Sequence, residues 1–171
     1  MMSCGRRKFA AASVAFLLAV YAGAARAEPL SPRKYIIQMS SSQVDSGYAD
    51  YLVPPLSKVF DDAGFTAMHG PGADIVVNII TSSDVGQWMN TGKGREWLYT
   101  VKITVGISPE SYDIPYEGTP QFGAEVSLVT PNSDREDELA CLITLAARTA
   151  VAQYQPKGQY KTSGQECLRR Q

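Results

Sequence analysis

The residue pattern predicts an α+β fold: a single-domain, two-layer sandwich in which two helices cover a mixed, mostly antiparallel sheet of four to five strands. Three observations carry this. Two segments repeat apolar residues at helical spacing, around 52–63 and 139–154. Residues 97–107 alternate apolar and polar side chains without a break. Between these lie short β-branched runs set apart by glycine- and proline-rich connections. The resulting order is β-α-β-β-β-β-α.

The first strand is expected at Tyr35–Met39, after a polar, proline-containing lead. The first helix follows from Leu52, Leu56, Val59, Phe60 and Ala63, which form one apolar stripe. Asp45 or Ser46 is placed to cap its start, and Gly64 stands where a helix-ending glycine belongs. Pro54 and Pro55 fall inside this helix and predict a kink. Phe65–Met68 reads as a short strand closed by the Gly70-Pro71-Gly72 turn. Residues 73–81 are nearly continuous in Ile and Val, as in a central strand.

Residues 82–95 read as a long, glycine-rich hairpin connection that holds Trp88 and Met89. In the strand 97–107, Trp97, Tyr99, Val101, Ile103, Val105 and Ile107 share one face, and polar residues take the other. Residues 108–121 form a second long loop, and Phe122, Ala124, Val126 and Leu128 mark the last strand. Ser133 and Glu136 form a capping box for the second helix, whose stripe is Leu139, Leu142, Ile143, Ala146, Ala147, Ala150 and Tyr154. That helix should end before Pro156.

Residues 1–27 have the three parts of a secretory signal: Arg6-Arg7-Lys8, an apolar run over 10–22, and the small-x-small site Ala25-Arg26-Ala27. The apolar run is shorter than the roughly 20 residues a membrane span needs. The Arg6-Arg7-Lys8-Phe9 sequence also matches the core of a twin-arginine signal, so both export routes stay open. Cleavage would leave a globular domain at 28–156 and a polar tail at 157–171, with no membrane span. Residues 28–171 hold 12 cations against 17 anions, a net charge of −5. That balance gives no footprint for nucleic acid.

Two cysteines remain in this segment, Cys141 and Cys167. In an oxidising compartment they are expected to pair, tying the tail to the second helix.

The element order and export signal resemble those of small envelope modules such as the lipopolysaccharide-assembly lipoprotein and the N-terminal domain of the TolB translocation protein. The likeness rests on no shared motif and transfers no residue role.

The sequence lacks a set of groups for common chemistries. His69 is the single histidine, so a histidine metal centre lacks its parts, and a Ser-His-Asp triad would have to use His69, with no G-x-S-x-G elbow in the chain. The run Gly86 to Lys93 is one residue too long for a phosphate loop and lacks its Ser or Thr. The acidic runs Asp61-Asp62 and Asp134 to Glu138 read as helix surface and helix start. No cofactor or metal is expected.

The candidate site is therefore a contact surface. Trp88, Met89, Lys93, Arg95, Tyr112 and Tyr116 lie in or beside the two long loops. Trp97 and Phe122, with strand neighbours, are assigned to packing. The reading is an exported, periplasmic or secreted, non-catalytic binding or assembly module that meets an envelope protein through loop aromatics. The alternatives are a small carboxylate-based hydrolase, served by Asp84, Glu96 or His69 in one pocket, and a structural subunit of an envelope complex.

Overall fold

The computed structural model describes residues 29–39, 47–109, 120–131 and 136–170. The signal segment, Asp45, Ser46, Tyr112, Tyr116 and Ser133 lie outside these residues.

The described chain begins with β1 (Lys34–Gln38), α1 (Tyr48–Asp62) and the two-residue β2 (Thr66–Ala67). There follow β3 (Ile75–Ser83), β4 (Gln87–Thr91), β5 (Gly94–Pro109) and β6 (Phe122–Thr130). It closes with α2 (Glu136–Ala152), β7 (Gly158–Ser163) and a 3-10 segment (Gln165–Arg170). The sheet order is β2-β1-β3-β5-β6-β7, with β4 paired separately to β5. β1 runs parallel to both β2 and β3, β6 runs parallel to β7, and the pairs β3–β5 and β5–β6 are antiparallel. The fold is thus α+β with two helices and a mixed sheet, with more strands than the sequence pattern separates.

Both helices lie on one face of the sheet and bury the predicted stripes. Leu52, Leu56 and Phe60 of α1 are fully buried, as are Leu142, Ile143, Ala146, Ala147 and Ala150 of α2. They pack on Val77 and Ile79 of β3, Val101, Ile103, Val105 and Ile107 of β5, and the inward side chains of β6. The period-2 alternation of β5 selects which residues enter this core.

Helix α1 is continuous through Pro54 and Pro55. The prolines have no N–H to donate to the carbonyls of Asp50 and Tyr51, and both of those residues lie on the exposed side of the helix. Its end is set by Gly64 at φ 86°. The Phe65 N–H donates to the Phe60 carbonyl (3.0 Å) and the Gly64 N–H to that of Asp61 (2.9 Å). The Phe60 and Phe65 rings meet at 5.1 Å, the apolar contact that accompanies this type of helix end.

The expected tail at 157–171 is corrected. Its first part is β7, in parallel register with β6 from Phe122↔Gly158 to Ser127↔Ser163. A sheet edge has one side in water, so a strand there needs few apolar residues and its polar composition hid it. Gly164 then turns the chain beneath α2. A Cβ there would collide with Leu142, and the Gly164 N–H donates to the Ser127 carbonyl (2.7 Å). The predicted Cys141–Cys167 disulfide is present, with Cα atoms 5.7 Å apart.

Tyr35 is buried between α1 and the sheet, against Phe60 at 5.0 Å. Burial raises its phenol above the usual value of 10.0. A hydrogen bond with Ser57 opposes this, while the charge of Asp61 and the bond donated to it (3.3 Å) reinforce it.

Two outcomes are expected. Replacing both Cys141 and Cys167 by Ala should cost roughly 3 kcal/mol, read as a lower urea midpoint. The folded chain holds the Tyr35 proton more tightly than the unfolded chain. Its contribution is therefore complete below pH 10 and lost as pH rises through the raised value. Tyr35→Phe should flatten the alkaline fall in the urea midpoint relative to the wild type.

Candidate functional site

The expected hairpin connection at 82–95 is more ordered than a loop: its two sides pair as strands, forming an arm built on β5. Strand β3 pairs with β5 as far as Ser83↔Val101, and β4 resumes on the same edge at Gln87↔Leu98. Residues 84–86 form the interruption. Asp84 holds it closed, because its Oδ1 accepts the N–H groups of Thr100 (2.8 Å) and Gly86 (3.0 Å). The Asp84 N–H donates to the Thr100 carbonyl (3.1 Å). Gly86 takes φ 83°, and a Cβ there would run into the Trp97 and Tyr99 rings. Only glycine suits both the backbone angle and the space.

Gly92 and Lys93 form the two-residue tip between Thr91 and Gly94. The Thr91 hydroxyl accepts the Lys93 N–H (3.1 Å) and donates to the Glu96 carboxylate (2.6 Å). This ties the tip to the face of the arm that carries Met89.

The other face carries Trp88, Asn90, Arg95 and Trp97. It continues the core face of β5 past the end of the helical cover, because alternation puts Trp97 and Tyr99 in line with Val101. Trp88 and Trp97 stand directly opposite in register, with ring centroids 5.4 Å apart and planes at 81°. This edge-to-face contact suits the quadrupoles of the two rings. The Arg95 guanidinium lies 5.5 Å from the Trp88 centroid. Trp88 remains 56% exposed, Trp97 39% and Val85 89%.

Among the predicted residues, Trp88, Met89, Lys93 and Arg95 share the arm, with Met89 on the face opposite Trp88. Tyr112 and Tyr116 are outside the described residues. Phe122 is core, as expected, but Trp97, expected to pack, is half of the exposed pair. A signal was present: Trp88 and Trp97 are equidistant from the Gly92-Lys93 turn, which is where hairpin pairing places opposing residues.

Four carboxylates have bonds of their own. Asp62 pairs with Lys58 (3.0 Å), Asp61 accepts from Tyr35, and Asp84 and Glu96 hold the arm. A depression of about 280 Å³ lined by Ser82, Ser83, Asp84, Thr100 and Lys102 includes neither Glu96 nor His69. Among the described residues no three His, Cys, Asp or Glu side chains gather as a metal site. No helix among them is long and apolar enough to cross a membrane.

No family model matches this chain, and no curated protein is significantly similar. Among solved structures, a minor lipoprotein from Acinetobacter baumannii is similar over 71% of this chain and 91% of its own, at 14% identity and a TM-score of 0.42. A PDZ domain protein from Parabacteroides distasonis is similar over 72% of this chain at 10% identity and a TM-score of 0.47. The present chain spans 33% of that protein's length.

The arm and the core should respond separately to substitution. Trp88→Ala should abolish the exciton band of the ring pair in circular dichroism and change global stability by less than about 1 kcal/mol. Gly86→Ala should lose the same band with both tryptophans retained.

Proposed function

We propose that this protein is an exported, non-catalytic binding or assembly module of the bacterial cell envelope that grips a protein partner with the β4–β5 arm. The observation that carries the reading is the Trp88–Trp97 pair, capped by Arg95 and left open to solvent. Tryptophan and arginine dominate protein-contact energetics, because each adds a large apolar or planar area and a directional polar group. The arm also holds its shape before any partner arrives, through the Asp84 clamp and the Thr91–Glu96 bond. Preorganisation of that kind lowers the ordering cost of association.

Export is supported by the signal pattern of residues 1–27, and the Cys141–Cys167 disulfide suits an oxidising compartment such as the periplasm. The dispersal of His69, Asp84 and Glu96 favours binding over a carboxylate hydrolase.

The test is photo-crosslinking in living cells from a reactive side chain introduced at Val85, followed by mass spectrometry. A reproducible protein adduct is expected, weakened about tenfold when Trp88→Ala is added, at an unchanged melting temperature. Capture that ignores Trp88→Ala, or that yields no protein adduct, would overturn the reading.

A further inference from the structure

We infer that the partner is engaged by strand addition: an extended segment bearing acidic side chains at alternate positions pairs with the free edge of β4. This rests on the partner-binding reading above and adds to it the mode of contact and the chemistry of the segment.

The argument starts from hydrogen-bond parity. The Thr100 N–H and C=O face the β3–β4 edge, since both bond to Asp84. Alternation then turns the Leu98, Glu96 and Gly94 backbones toward β4, where they meet Gln87, Met89 and Thr91. Trp88 and Asn90 accordingly form the non-hydrogen-bonded pairs with Trp97 and Arg95. Their own N–H and C=O groups aim away from β5, and among the described residues nothing bonds them. These four groups are spaced to take a further strand, the mode in which main-chain bonds supply affinity and alternate side chains supply specificity.

Charge selects the segment. Arg95 starts on β5 but its guanidinium reaches across to the Trp88 ring, at the β4 side of the arm. Lys93 sits at the tip, and both are exposed. Of the two carboxylates of the arm, Glu96 is on the opposite face and accepts from Thr91, and Asp84 at the base accepts from Gly86 and Thr100. A carboxylate on the added strand, beside Trp88 or Asn90, would meet Arg95 over an apolar ring, where desolvation strengthens the attraction. A second copy of this chain is disfavoured as occupant, because edge-to-edge pairing would bring two sets of Lys93 and Arg95 together. Residues 28–171 as a whole carry −5, which disfavours such a segment over most of the surface and leaves the Lys93 and Arg95 end of the arm as its landing place.

The probe is a capped peptide of alternating Thr and Glu, titrated into the disulfide-bonded protein while tryptophan fluorescence is followed. Saturable binding is expected. It should weaken at least about tenfold when Lys replaces Glu, and likewise when every second peptide amide is N-methylated. Asn90→Pro should abolish binding at an unchanged melting temperature, because that N–H takes no part in the β4–β5 ladder. Absence of binding to the wild type, or equal binding of the Lys or N-methylated peptides, would overturn strand addition. Dimerisation of the wild type that Asn90→Pro removes would overturn it in favour of a second copy. Cellular capture from position 85 that survives Asn90→Pro but not Trp88→Ala would overturn edge pairing alone and leave the partner reading standing.

Discussion

The side-chain alternation of β5 is the constraint on which the rest of the molecule depends. This strand pairs with β3, β4 and β6, and holds every other element in relation to the core. Its odd-numbered residues face the helices from Val101 to Ile107, and the same face runs on through Tyr99 and Trp97 into solvent. A slip of one residue would turn both the core and the aromatic pair to the wrong side. Folding and display of the arm are therefore set by one register.

The transition from core to arm is made by a short break in one neighbour and not in β5 itself. At residues 84–86 the partner edge loses its place, and Asp84 supplies from its side chain the acceptor that the ladder lacks. Gly86 gives up its side-chain volume to Trp97 and Tyr99. The break lets β4 resume in a shifted register, so that Trp88 comes to face Trp97 across the pair. At the far side of the sheet the disulfide does a comparable task. It fastens α2 to the segment after β7, an edge strand with little apolar surface of its own.

The exposed arm and the engaged carboxylates are the two observations behind the proposed binding role. A catalytic site brings polar groups into one pocket and leaves them available for chemistry. Here Asp84, Glu96, Asp61 and Asp62 are engaged in local hydrogen bonds and an ion pair, and the arm exposes rings, a guanidinium and a backbone edge left unpaired among the described residues.

Local pattern alone determined the two helices, their buried stripes, the helix end at Gly64, the long alternating strand and the cysteine pairing. Each depends on periodicity or on a residue whose conformational preference dominates its neighbours. It also picked out Trp88, Met89, Lys93 and Arg95 as a group, because exposed aromatics and cations clustered near glycines stand out without knowledge of the fold. Tertiary structure decided that residues 87–91 form a strand, that β7 joins the sheet edge, and that Trp97 stays exposed beside Trp88 instead of joining the core. The reason is common to all three. An edge strand or an arm has too little burial to leave a hydrophobic period in the sequence, so its pairing is settled by the neighbour it meets in space.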